Sequence, residues 1–165
     1  MPRRCFYSFH YKPDNWRASQ VRNIGVVEGN RPATDNDWET ITKGGDEKIK
    51  KWIKSQMRGR SCTVILAGAN TANRKWINYE IIESWNAGMG VVVIYIHKLN
   101  NSAGMQTTKG LNPLSFISIG ADKKILATIA KAYDPQHVTS KGVYTYISDN
   151  LEDWVEEAIQ IRKAY

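Results

Sequence analysis

Cysteine is almost missing from this chain. Only Cys5 and Cys62 occur, with no C-x-x-C spacing, which leaves neither a disulfide framework nor a zinc site. Both read instead as small apolar core residues near the starts of two strands. Histidine is just as sparse. His10, His97 and His137 are too dispersed to suggest a metal site. Long hydrophobic runs are absent too: the strongest, residues 91–96, is far too short to span a bilayer. The Met-Pro-Arg-Arg start is followed by an apolar stretch too short for a signal peptide, without a small-residue cleavage site. A cytoplasmic protein with no membrane partner is expected. No G-x-G-x-x-G follows the first strand, and neither a Walker loop nor a G-x-S-x-G elbow occurs, so the common dinucleotide, NTP and hydrolase readings fail.

What is present is globular. The 165 residues are 42% hydrophobic and 24% charged, enough for one α/β domain over residues 1–165 with a real core. The net charge of +7 raises a nucleic-acid hypothesis. The densest basic cluster, Lys48, Lys50, Lys51, Lys54, Arg58 and Arg60, follows one predicted helix. With no zinc-finger, RNP or basic-zipper pattern beside it, a solvated helix face is preferred over a nucleic-acid site.

Strand and helix signals alternate along the chain. Residues 5–9 and 24–27 read as short strands, with a weak helix over 15–23 starting near Asp14 or Asn15. Residues 28–45, rich in Gly, Asn, Asp, Pro and Thr, read as a long loop. Asp46 opens a helix with Ile49, Trp52, Ile53 and Met57 at a 3.6 period, and residues 63–67 form a buried strand. A helix carrying Trp76 and Glu80 runs to about Ala87 and stops at Gly88. The Val/Ile run at 91–96 suits a central parallel strand covered on both faces. Residues 98–113 return to loop. A weak strand over 116–119 and a helix from Asp122 to the Asp134-Pro135 step follow, with Ile125, Leu126, Ile129 and Ala130 on one side. A short edge strand over 144–147 and a closing helix from Asp149, with Glu152 as a capping box, complete the reading. The expected fold is a flavodoxin-like three-layer sandwich with a mainly parallel five-stranded sheet.

Chemistry concentrates at one place in this order. Trp76 and Glu80 lie one turn apart on a helix that follows a strand's C-terminal end, where open α/β sheets build ligand sites. An indole and a carboxylate there can hold a flat ring and a sugar, which points to a nucleotide-like ligand. On residues alone, however, Glu80 reads as a boundary carboxylate, and the helical wheel does not separate it from Glu83. Ser8, Phe9 and His10 leave the first strand at the same rim, where a ligand contact and a satisfied turn are equally good readings.

The segments FYSFHY (residues 6–11) and ILAGANTANRKWINYEI (residues 65–81) together resemble TIR domains. The first is similar to the opening TIR box. The second is similar to the strand, turn and helix that carry the TIR glutamate, with W-x-x-x-E spacing at Trp76 and Glu80. The loop reaching Asp35, Trp38 and Glu39 stands where TIR domains carry the BB loop. The resemblance is closest to the divergent bacterial TIR-like group that includes the TIR-like component of the Thoeris antiphage system. It covers residues 3–97 well and the remainder by general α/β character.

This resemblance implies NAD as substrate, with no separate cofactor and no metal. It implies NAD glycohydrolase or ADP-ribosyl cyclase chemistry: cleavage of the nicotinamide–ribose bond, giving a cyclic or conjugated ADP-ribose second messenger in antiphage defence. Glu80 would be catalytic; Ser8, Phe9, His10, Asp35, Trp38, Asn70 and Trp76 would meet the substrate. Self-association on activation and a separate effector sensing the product are expected, the latter because no effector domain is fused. A non-catalytic interaction module is the main alternative, and a basic nucleic-acid-binding domain the weaker one.

Overall fold

A computed structural model of the chain describes residues 2–30 and 41–165. Its main sheet is built from β1 (Arg4–Phe9), β2 (Glu28–Gly29), β3 (Cys62–Ala67), β4 (Gly90–Tyr95) and β7 (Ala132–Tyr133), all parallel, in the order β2-β1-β3-β4-β7. Every residue of β3 and β4 is buried, which is why both read as continuous apolar runs without alternation. Helices α1 (Tyr11–Arg22) and α4 (Ser140–Lys163) cover one face over a core of Cys5, Tyr7, Val64, Leu66, Ile94 and Leu151. Helices α2 (Asp46–Met57) and α3 (Lys75–Asn86) cover the other. This is the expected three-layer sandwich.

Close approach fixes α4 against the sheet. A Cβ on Gly90 would sit 2.7 Å from the backbone of Ala158 and Ile159, so only glycine lets the helix lie on the first residue of β4. Across the other face, the Thr63 and Ser84 hydroxyls share a buried hydrogen bond that pins α3 to β3.

Four local expectations are corrected. Helix α1 starts at Tyr11, not near Asp14 or Asn15, because Asp14 is buried inside its first turns beside Arg17 instead of capping it. Residues 24–27 are not a strand: Gly25, at φ +85°, turns the chain, and pairing begins at Glu28, opposite Arg4. No helix forms from Asp122. Residues 116–119 finish a 3-10 turn (Pro113–Phe116) and supply β5 (Ser118–Ile119), which pairs antiparallel with β6 (Lys124–Ile125) outside the main sheet. Of the apolar residues given to that helix, Ile125 is an exposed residue of β6 and Leu126 is buried in a short 3-10 turn (Leu126–Thr128); Ile129 and Ala130 follow it, and the chain then delivers β7 beside β4. Finally, the edge strand at 144–147 and the helix start at Asp149 are both replaced by α4. Thr139 caps it by accepting from the Gly142 N–H at 3.1 Å. Val143, Ile147 and Leu151, four residues apart, bury one stripe.

Candidate active site

Chain direction makes a crevice between β1 and β3. From this pair the sheet order runs outward to β2 on one side and to β4 and β7 on the other. Such a switch point at the C-terminal edge is where doubly wound sheets take ligands. Ser8 pairs with Ile65 and Phe9 with Leu66, so both strands end side by side at this rim. Helix α3 starts there as well, after a turn in which Asn73 adopts a left-handed φ of +60° and its side chain accepts from the Asn78 amide at 3.1 Å.

Glu80 faces inward from α3. Its Oε2 is shut off from solvent and has no hydrogen-bond partner among the described residues. Burial pushes its carboxyl up to about 8, and the Ser8 hydroxyl pulls the other way. Ser8 itself is 1% exposed, and its Oγ also lacks a well-formed partner. The Ser8 hydroxyl and the Glu80 carboxyl thus face each other in the core of the rim with no other side-chain partner among the described residues, an arrangement that makes this the candidate site. Glu83, which the wheel could not set apart, lies near Tyr79, whose hydroxyl is raised by burial and then by the Glu83 and Glu47 charges. Of these two carboxylates, Glu80 is the one that faces Ser8.

The other expected site residues divide. His10 is half-buried and continues the line of Ser8, with Nδ1 enclosed and unpartnered. Burial, and then the Arg74 guanidinium, lower its pKa. Asn70 is exposed in the turn after β3. Phe9 points to the opposite face of the sheet, where it packs on the α1/α4 core and stacks on Tyr11 with ring centroids 6.3 Å apart. Trp76 is half-buried against the α2 cluster and meets Tyr79 edge-on, with Lys75 Nζ 4.9 Å over its ring. Packing therefore claims much of its surface. Asp35, Trp38 and Glu39 lie outside the described residues. Among the described residues, no three His, Cys, Asp or Glu side chains are grouped to hold a metal.

Two constellations on the same rim escaped the sequence reading. Asp14 and Arg17 are buried together at 3.3 Å beneath Gly68, where a Cβ would fall 2.1 Å from the Asp14 carboxylate. Arg17 also donates to the Leu99 and Met105 carbonyls at 2.8 and 2.9 Å, fastening the segment over 98–112 to α1. Further along, Lys109 pairs with Asp134 at 3.1 Å and lies over Tyr95, which meets His97 edge-on. The 3-residue spacing of Asp14 and Arg17 was visible, but a helix start placed at Asp14 hid it.

A parallel sheet in this order, with an enclosed glutamate at its switch point on a helix of W-x-x-x-E spacing, defines a TIR-like α/β domain. The sequence pattern of "Thoeris protein ThsB, TIR-like domain" matches residues 6–101, more than half of the chain. The chain belongs to that Thoeris ThsB TIR-like family. It is 33% identical over 122 residues to a Bacillus cereus (strain MSX-D12) protein named "Putative cyclic ADP-D-ribose synthase ThsB1". That alignment takes in 71% of this chain and 64% of the relative, so the chain spans just under two thirds of the relative's length. The family match runs from β1 to just past β4 and includes Ser8, His10 and Glu80.

Proposed function

We propose that this chain cleaves the nicotinamide–ribose bond of NAD and transfers the ADP-ribosyl group to form a cyclic or conjugated product, with Glu80 as the catalytic residue. The Glu80 carboxyl, with its Oε2 shut off from solvent opposite Ser8, carries the reading. The relative's name, a cyclic ADP-D-ribose synthase, supports it.

The chemistry suits the residues. In NAD the nicotinamide is a cationic leaving group that departs neutral, so no acid is needed. Positive charge develops on the ribose, as in glycoside cleavage. A carboxylate in a partly dry site stabilises such charge more than water does. A free carboxyl near 8 holds its proton at neutral pH, and the incoming nicotinamide cation favours its release. Ser8 orients the carboxylate. Arg74, at the N-terminal cap of α3, and the helix's first N–H groups meet the diphosphate, with Asn70 beside them. His10 and the uncovered edge of Trp76 border the ribose and the ring, and Asp35 and Trp38 complete the substrate contacts. Phe9, turned to the other face, reaches ligand only over the strand end.

As a member of an antiphage family, the protein acts in the cytoplasm, self-associates on activation and passes its product to a separate effector. No helix among the described residues is long and apolar enough to cross a membrane. The test incubates activated protein with NAD and follows nicotinamide and ADP-ribosyl products by mass spectrometry. Glu80→Gln should lower turnover by about 100-fold or more, on the scale of a lost charge-stabilising group. Glu83→Gln should retain turnover. Loss with Glu83→Gln alone, or no NAD-derived product from the activated wild type, refutes the assignment.

A further inference from the structure

Departure of nicotinamide needs no proton donor, but where the incoming nucleophile is an oxygen and not a ring nitrogen, the step that follows needs a proton acceptor. The water or sugar hydroxyl that takes nicotinamide's place at the anomeric carbon has to lose its proton as the new bond forms. Glu80 is committed to the ribose charge, and the Ser8 hydroxyl is no base at neutral pH. Of the remaining groups on the rim, Asp14 is sealed under Gly68 with Arg17. His97, whose Nδ1 is also enclosed and unpartnered, is 5% exposed and follows β4 beside Tyr95, which packs with Ile77 and Ile81 on another flank of α3.

His10 stands apart from these. Its backbone is still extended (φ −79°, ψ 104°), so its side chain follows Ser8 to the Glu80 side of the sheet while Phe9 takes the other. Two residues beyond Ser8 place it about 7 Å further toward the mouth of the crevice. The ring is half-buried, Nδ1 is enclosed, and no hydrogen bond from a described residue reaches either nitrogen. Packing alone does not account for an unpaired imidazole held in this way.

We propose that His10 is a catalytic residue of the second half-reaction, its ring accepting the proton of the hydroxyl that bonds to the anomeric carbon. This rests on the NAD-cleaving reading above. Nicotinamide leaves with the electron pair of its C–N bond. The acceptor oxygen donates a lone pair to the anomeric carbon, its proton passes to the imidazole, and no oxidation state changes. Burial and the Arg74 charge keep the ring neutral and ready to accept. The same two influences make the imidazolium release its proton to solvent before the next turnover. Of the other charged groups near it, Glu80 belongs to the first step and Asp14 is turned onto Gly68 and Arg17.

Two readouts separate the half-reactions. Exchange of isotope-labelled nicotinamide into NAD reports C–N cleavage and its reversal; net ADP-ribosyl product also needs the acceptor. In the full chain, His10→Gln removes a substrate contact as well as the base, so product formation should fall about 100-fold further than exchange does, the scale of lost general-base catalysis. Added imidazole should restore product. Equal loss of exchange and product in His10→Gln, or loss of neither, overturns the proposal. A wild-type check avoids any variant: the product-to-exchange ratio should fall as pH drops below the imidazole's ordinary 6.5, and a flat ratio overturns the proposal. If wild-type protein shows neither exchange nor product, it is the NAD reading itself that fails.

Discussion

Replacing Glu80 by Gln should stabilise the fold, by an amount that grows with pH. The carboxyl ionises near its ordinary 4.5 in the unfolded chain and at about 8 in the folded one. Between those values the folded protein holds a proton that the unfolded chain has released. Its stability therefore declines as pH rises through this window, by about 1.4 kcal/mol per pH unit. At pH 5 the accumulated cost is about 1 kcal/mol, at pH 7 about 3, and well above pH 8 it levels off near 5. Gln has nearly the same shape and no charge to bury, so it escapes the whole term, whereas His10 and other titrating groups are common to both proteins and cancel. For a domain of this size about 3 kcal/mol corresponds to a Tm rise of about 6–12 °C at pH 7. Urea unfolding of both proteins at pH 5, 7 and 8.5 gives the difference directly. A difference that is flat across that range, or a variant less stable than wild type at pH 7, would refute the claim that Glu80 is held in an enclosed, charge-averse position.

The same carboxyl sets a kinetic limb: kcat/KM for NAD should rise with pH, with a midpoint of about 8, and the limb should vanish in Glu80→Gln. Arg17→Met should cost about 3–5 kcal/mol in chemical denaturation, because it strands the buried Asp14 and frees the Leu99 and Met105 carbonyls. Proteolysis within residues 98–112 should accelerate with it. Gly90→Ala should lower stability by about 1–3 kcal/mol or more, since the clash is with the backbone of α4 and not with a side chain that can turn aside.

The sandwich and its ligand rim were legible wherever burial and periodicity agreed. β3 and β4 are continuous apolar runs covered on both faces, and α2 and α3 repeat their apolar residues at 3.6. Glu80 could be nominated from W-x-x-x-E spacing, but its distinction from Glu83 is a matter of which side of α3 meets β1, and only the packed structure decides that. The larger errors lie after residue 113, where local preference and tertiary need disagree. Ile125, Leu126, Ile129 and Ala130 repeat like a helix, yet the sheet takes its fifth strand from Ala132–Tyr133, a pair too short to announce itself. Tyr144 and Tyr146 suggest a strand by composition, although Val143, Ile147 and Leu151 carry the period of the helix they occupy. Phe9 misled for a simpler reason: neighbours on a strand face opposite ways, so Ser8 and Phe9 cannot both line one crevice.

Among the described residues, the outermost strands of the sheet, β2 and β7, are each two residues long. Each offers a foreign strand about 7 Å of backbone. An edge this brief is a poor template for further pairing, and nature uses such stubs to keep sheets from zipping together. For the self-association proposed above, such edges leave little route through a shared, ever-widening sheet. Contacts through helix surfaces would instead form and break without unravelling a hydrogen-bonded ladder. Stunted edges of this kind favour contacts that come apart again over sheets that keep growing.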